Sequence, residues 1–487
     1  KRETRNAKHE TRNTKRETRN AKHETKMSTS QKFHTASEKI AFDTKHRNTI
    51  KFNISKYDVA VSKGMARYKN VEIAKEHAAA IKADVLNNWD NYLLEFEEKI
   101  SARGVEVLWA KDEHEATEYI KKILVENDAK LLVKSKSMTT EEIELNQTAE
   151  SIGCESVETD LGEFIVQVAG EKPYHIVTPA MHKSKGDIAQ LFNEKFNTPI
   201  DSTPEEMTEY VRQVLRKKYT QAEIGVTGAN FLIADIGGVS VTENEGNALM
   251  STAFPKVHIV IAGIEKIIPK MSQLGLFYPL LAAHGTGQQI TAYNTIFTGP
   301  RKENEVDGPE KMYVILLDNG RTNVYADSEA CSALTCIRCG ACLNACPVYK
   351  TIGGYTYDTT YSGPIGSILT PFLRGFKDFS HLSFASSLCG KCVEVCPVKI
   401  PITDILLSNR RKAVEQNLRP KMEKLLMNGF KFISSERKVF DFLPGQMKTF
   451  GTFPLNFMVW GPKRSMPTFA KKSFSEQYIQ NKNNKHI

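Results

Sequence analysis

The 487-residue chain has no uninterrupted apolar stretch of the roughly 18–20 residues that a membrane-crossing helix needs. Its N-terminus also lacks the apolar core of a secretory signal. A cytoplasmic location is therefore expected, with any membrane association made through partners. In a reducing compartment the nine cysteines are not expected to form a disulfide scaffold. Cysteine is scarce over most of the length: Cys154 stands alone, and the other eight fall between Cys331 and Cys396. Thiols crowded in this way point to metal. With 40% hydrophobic residues the chain is too apolar for a disordered tail, and at roughly 100–200 residues per domain its length suits two to four domains.

Apolar residues are also missing where they would matter most in the first 26 residues. KRETRNA, KHETRNT, KRETRNA and KHETK follow one another with a seven-residue period, yet only Ala7 and Ala21 are apolar, so a coiled-coil seam is excluded. Ten Lys or Arg against four Glu give this segment +6 of the net +9. The regular glutamates dilute its field, and no nucleic-acid partner is expected from it. It is read as translated repeat sequence ahead of a start at Met27, whose deletion should leave folding and cofactor content unchanged.

A polar segment over 27–69 leads into an α/β domain over 70–325. Val71 to Leu94 has helical spacing; apolar runs at Val105–Trp109, Lys130–Val133 and Glu155–Val157 alternate with helices over Glu113–Glu126 and Thr139–Ile152. Helices at Lys185–Phe196 and Pro204–Lys218 follow, then strands at Asn230–Ala234, Val239–Thr242, Val257–Ala262 and Met312–Leu317. Strands alternating with helices predict a mostly parallel sheet covered on both faces. Gly285-Thr286-Gly287 lacks the third glycine of a dinucleotide fingerprint, and Gly237-Gly238 fits a turn between strands. Glu243-Asn244-Glu245-Gly246-Asn247 crowds carboxylates and amides after a strand, where α/β folds place ligands; a self-bonded tight loop is the competing reading. His182, Lys183, His258 and Lys266 are ambiguous between packing and ligand roles.

Val226-Thr227-Gly228-Ala229-Asn230, the NEGN of Asn244–Asn247, Pro255-Lys256-Val257-His258 and Gly263-Ile264-Glu265-Lys266 resemble the LUD domain of lactate-utilisation proteins. So do Lys134-Ser135-Lys136-Ser137 and Glu158-Thr159-Asp160-Leu161-Gly162-Glu163. The resemblance implies a fold grouped with sugar-phosphate isomerases and CoA-transferases. Some relatives of that fold use a Glu near an E-N-G sequence as nucleophile; Glu243-Asn244-Glu245-Gly246 is only loosely similar, and that chemistry is not transferred.

Between 326 and 412 the spacing is more specific. Cys336-x2-Cys339-x2-Cys342-x3-Cys346-Pro347 places three thiolates around one cluster and aims the fourth at another. Cys389-x2-Cys392-x3-Cys396-Pro397 repeats the back half of that motif. Two iron–sulfur clusters, each of [4Fe-4S] type, are expected: the first on Cys336, Cys339, Cys342 and Cys396, the second on Cys346, Cys389 and Cys392. Zinc favours paired CxxC units without the Cys-Pro endings. The second cluster is one thiolate short, with Ser386 at the missing position. A non-cysteine ligand such as Ser386 or solvent, a [3Fe-4S] cluster, and recruitment of Cys331 all remain open. The 42-residue insert Pro347 to Leu388 reads as a loop, a helix near Ile365–Leu373 and a return, a layout similar to α-helical ferredoxins of electron-transfer subunits.

CIRCGACLN from Cys336, Pro347-Val348-Tyr349, Gly363-Pro364-Ile365-Gly366, Leu369-Thr370-Pro371, Ser386-Ser387-Leu388-Cys389-Gly390-Lys391-Cys392 and Pro397-Val398-Lys399-Ile400-Pro401 are similar to the lactate-utilisation protein B family. The match runs from about residue 70 to 410. It implies an electron-transfer component of an L-lactate to pyruvate oxidising system, partnered by a CCG-type cysteine-rich protein and a second LUD protein, and names no electron acceptor. Two alternatives stand beside it: a catalytic LUD domain acting on a hydroxyacid or acyl substrate through Glu245 and Lys266, with the clusters as electron outlet, or an assembly platform in another quinone-linked oxidoreductase. From 413 to 487 the chain becomes a basic arm studded with aromatics, among them Phe430, Phe432, Phe440, Phe442, Phe450, Phe453, Phe457 and Trp460, expected to pack on the body or on a partner.

Overall fold

The computed structural model describes residues 27–436 and 470–484. The heptapeptide repeat, Phe440 through Trp460 and the last three residues lie outside the described residues. Ten strands form two sheets: β1 Val105–Ala110, β2 Leu131–Lys134, β3 Glu155–Glu158, β4 Ile224–Thr227, β5 Phe231–Ile233, β6 Gly238–Glu243, β7 Val257–Gly263, β8 Ile267–Ile268, β9 Tyr293–Phe297 and β10 Lys311–Leu317. Six of them, in the order β1-β10-β7-β4-β2-β3, pair in parallel throughout. The other sheet, β8-β5-β6-β9, is built around the antiparallel β5–β6 hairpin, whose turn carries Gly237 at φ +54°.

Alternation along the central strands covers both faces of the parallel sheet. Ile259, Ile261, Ile315 and Leu317 pack with Ile120 and Ala149 on one side. Val260, Ala262, Val314 and Leu316 belong to a cluster on the other side that continues through Leu334, Leu343, Ile365 and Leu406. The parallel sheet and the cysteine-bearing helices therefore share one apolar core.

Several boundaries differ from the sequence expectation. The helix expected over Val71 to Leu94 is two, Val71–Asn87 and Trp89–Ser101, broken where the Asn88 amide bonds the carbonyl and carboxylate of Asp84. Thr139 to Ile152 splits into Met138–Glu142 and Leu145–Glu150 around Glu144, which takes a left-handed φ of 51°. The segment read as a polar lead-in forms helices Thr29–Ala41 and Thr44–Met65, capped by Ser28 and Asp43. Its few buried residues, Phe33, Ile50 and Ile54, join the shared core. The second of these helices packs on Leu274–Thr286, where a Cβ on Gly287 would meet the Ala60 carbonyl at 2.2 Å. Gly285-Thr286-Gly287 is thus a helix end, closed by Gly287 at φ +75°.

The chain parts into two compact units between Ala413 and Val414. The second contains helices Lys421–Ser435, which includes Phe430 and Phe432, and Phe474–Asn484. Among the described residues no helix is long and apolar enough to cross a membrane.

Candidate functional site

Loops leaving the carboxyl ends of the parallel strands converge on one end of the sheet. Lys136 follows β2, Asp160 follows β3, Gly228 follows β4, Lys266 follows β7 and Arg321 follows β10. That is where open parallel sheets gather ligand-binding groups. A cavity of about 380 Å³ opens there, lined among others by Lys136, Asp160, Glu245, Lys266, Arg338 and Cys339. It joins residues of the α/β domain to the first cysteine run.

Glu245 stands at the rim with its side chain partly in solvent, while its carboxylate accepts from the Leu161 amide at 2.9 Å. Desolvation of the carboxyl, followed by the nearby Asp160, pushes it up to about 7. Lys266 is buried; desolvation first, then the Arg338 guanidinium, bring it down to about 8. Side chains neighbouring Glu245 in its loop also line the cavity and are held by hydrogen bonds. Glu243 caps the helix Asn247–Ala253 by accepting from Ala248 and Leu249 amides at 2.6 and 3.0 Å, and Asn244 exchanges bonds with Gln288 at 3.0 Å. His258 is bonded through Nε2 to Thr227 at 2.8 Å, and His182 and Lys183 to Glu171 at 2.7 Å, while Nδ1 of each histidine is buried without a hydrogen-bond partner.

Below the cavity lies a buried ionic network that no local sequence pattern announces. Arg321 pairs with Glu142 at 2.9 Å and Glu265 at 2.5 Å; Glu265 also receives Arg338 at 3.1 Å. Tyr361 donates to Glu142 at 2.6 Å and lies beneath the Arg338 guanidinium, 4.3 Å from its ring centre. Lys82 donates to the carbonyls of Glu265 and Ile267 at 2.8 and 3.1 Å. Burial would raise Glu265, but Arg321 and Arg338 hold its carboxyl far below the usual range. Lys82, Lys266 and Arg338 all have Cys336 as an electrostatic neighbour, so the network sets a cationic wall beside the first thiol run. Only Lys266 among these was singled out from sequence; Arg338 carried a signal in lying inside a C-x-x-C.

The seven cysteines sort by mutual electrostatic influence into two groups. Burial raises the Cys342 thiol, and Cys336, Cys339 and Cys396 raise it further. Cys396 is pushed to about 11 by burial and then by Cys336. In the other group burial, then Cys346 and Cys389, bring Cys392 to about 11. Backbone amides point at the sulfurs: Arg338 at Cys336 (3.4 Å), Tyr349 at Cys346 (3.5 Å) and Ile400 at Cys396 (3.4 Å). Clustered thiols shielded from water resist ionisation unless a multiply charged centre compensates them, and amide donors to sulfur are what iron–sulfur clusters use. Among the described residues no three Cys, His, Asp or Glu side chains converge tightly enough for a single ion, whereas a cubane spreads its thiolates around four irons. The donor set fits clusters. Cys154 is buried in the α/β core, and Cys331 donates to the Ser328 carbonyl at 3.6 Å.

Family models agree with this geometry. The LUD domain matches residues 93–317 and the 4Fe-4S dicluster domain residues 332–400. Fold and site together define an iron–sulfur protein in which an α/β LUD domain precedes a helical ferredoxin-type region carrying 4Fe-4S clusters. The chain is 42% identical to Lactate utilization protein B of Bacillus cytotoxicus, over 85% of this chain and 89% of that protein. It is 43% identical to Lactate utilization protein B of Bacillus cereus strain B4264, with the same coverage. The chain belongs to the lactate utilization protein B family. A solved DUF162 family protein from Deinococcus radiodurans is 13% identical, covers 47% of this chain and 98% of its own, and superposes with a TM-score of 0.27.

Proposed function

We propose that the protein carries electrons within a system that oxidises L-lactate to pyruvate, with Cys336, Cys339, Cys342 and Cys396 holding one [4Fe-4S] cluster and Cys346, Cys389 and Cys392 the other. The observation that carries this reading is the packing of the helices Ala341–Ala345 and Lys391–Glu394 of the two cysteine runs against each other, with Cys396 raising the Cys339 thiol and Cys389 raising that of Cys346 after burial has done so. Oxidation of a 2-hydroxy acid to a 2-oxo acid releases two electrons and two protons, and two one-electron clusters match that stoichiometry. The partners proposed are a CCG-type cysteine-rich protein and a second LUD protein. Stopped-flow mixing of the cluster-loaded chain with L-lactate tests this reading. Reduction of the clusters only when partners are present supports carriage; reduction in the isolated chain overturns it.

A second reading makes the cavity a hydroxyacid site. It is favoured by Glu245, near 7, and Lys266, near 8, lining one cavity that reaches Cys339. Groups poised around neutrality suit proton transfer. Here Glu245 takes a substrate proton and Lys266 faces its carboxylate. Reduction by lactate in the isolated chain, lost in Glu245→Gln, is the outcome expected of this reading alone.

A further inference from the structure

The two cysteine runs fold into the same turn. Arg338 and Gly340 flank Cys339 at φ 60° and 78°; Leu388 and Gly390 flank Cys389 at φ 54° and 80°. Each turn leads into a short helix, Ala341–Ala345 and Lys391–Glu394, opened by its glycine, and these helices pack against each other. The equivalence places Cys339 with Cys389, Cys342 with Cys392 and Cys346 with Cys396, so Ser386 stands where the first run has Cys336. The side chains keep the correspondence. The Arg338 amide donates to Cys336 Sγ at 3.4 Å, and the Leu388 amide donates to Ser386 Oγ at 3.1 Å, the same residue-to-second-residue bond with oxygen in place of sulfur. Arg410 fixes the backbone of this turn by donating to the Ser383 and Ser386 carbonyls, each at 2.9 Å.

We propose that Ser386 Oγ is the fourth protein ligand of the second cluster. This rests on the assignment of Cys346, Cys389 and Cys392 to that cluster. An Fe–Oγ bond forms as the hydroxyl proton leaves to solvent, and the Leu388 amide hydrogen-bonds the resulting alkoxide as the Arg338 amide does the Cys336 thiolate. The neighbouring Ser387 is excluded because it is exposed and its place in the first run belongs to Ile337, whose side chain offers no ligand atom. An alkoxide is harder and more basic than a thiolate, so it favours the oxidised cluster.

The test compares full-length wild type, Ser386→Cys, Ser386→Ala and Ser387→Ala, loaded anaerobically, by iron content, Mössbauer spectroscopy and EPR-monitored redox titration. Wild type should hold roughly eight irons in two cubanes. Ser386→Cys should keep that content, raise the potential of the second cluster and leave the first cluster's signal unmoved. Ser386→Ala should convert the second cluster to a three-iron form or lose its iron, with the intact first-cluster signal showing that the chain has folded. Ser387→Ala should keep both cubanes. An unchanged iron content and potential in Ser386→Ala, or EPR broadening of the second cluster by isotopically enriched water, overturns serine ligation. Roughly four irons in wild type instead overturns the second cluster itself.

Discussion

At the rim of the cavity Glu245 holds its proton to about pH 7 in the folded chain, against 4.5 ordinarily. Between those values the folded state binds a proton that the unfolded state has released, so stability falls as pH rises through the window and the penalty is complete above it. Glu245→Gln lacks this dependence. Its stability relative to wild type should therefore increase from pH 5 to pH 8, read by denaturant titration at several pH values; solvent around the side chain keeps the effect modest. Arg338 supports a second expectation. Its charge lies beside Cys336, and removing a cation near a cluster disfavours the added electron. Arg338→Gln should lower the potential of the first cluster in an EPR-monitored titration and leave the second where it was. These residues differ in how they announce themselves. Glu245 sits in a short carboxylate-rich loop visible in the sequence, but the network around Glu265 draws on positions 82, 142, 321, 338 and 361. Burial and pairing over such separations leave no periodic trace.

At the scale of elements, the two equivalent turns invite a direct comparison. Gly340 and Gly390 share a left-handed φ, yet a Cβ on Gly340 would meet Val177 Cγ2 at 2.8 Å while one on Gly390 meets nothing within 4 Å. Both Gly→Ala variants should lose about 1–2 kcal/mol to backbone conformation. Gly340→Ala should lose a further ~1–3 kcal/mol to overpacking, measured by urea unfolding. Most strands were legible because their apolar runs are short and bounded. β4 escaped because Gly225 interrupts its run; the strand tolerates no larger residue, since a Cβ there would lie 1.8 Å from the Ser251 carbonyl oxygen. The first two helices escaped for another reason: they bury few side chains, and the second makes part of its contact backbone to backbone, at Gly64 and Gly287. Cysteine spacing is purely local and stands in the sequence itself, and Ser386 was visible there as a gap in the motif, whereas its hydrogen bond from the Leu388 amide was not.

For the whole molecule, the sequence divides at a boundary the core does not respect. Val260, Val314 and Leu316 of the parallel sheet lie in the same apolar cluster as Leu343, Ile365 and Leu406 of the cysteine-bearing region. A fragment limited to 93–317 would expose that face to water. It should aggregate or unfold without a cooperative transition, whereas residues 27–413 should unfold as one unit by calorimetry and circular dichroism. Two separate transitions in the longer chain would show that the regions fold independently.

The continuous core also bears on timing. Many redox proteins deliver electrons by swinging a tethered domain, and such a step slows as the medium thickens. Here the cavity reaches Cys339 through side chains packed in one cluster, so the separation between electron sites is fixed by packing instead of by diffusion. Glycerol or sucrose should therefore leave the rate of electron equilibration between the two clusters unaltered after pulse-radiolytic reduction, and a rate falling in proportion to viscosity would reveal a moving joint.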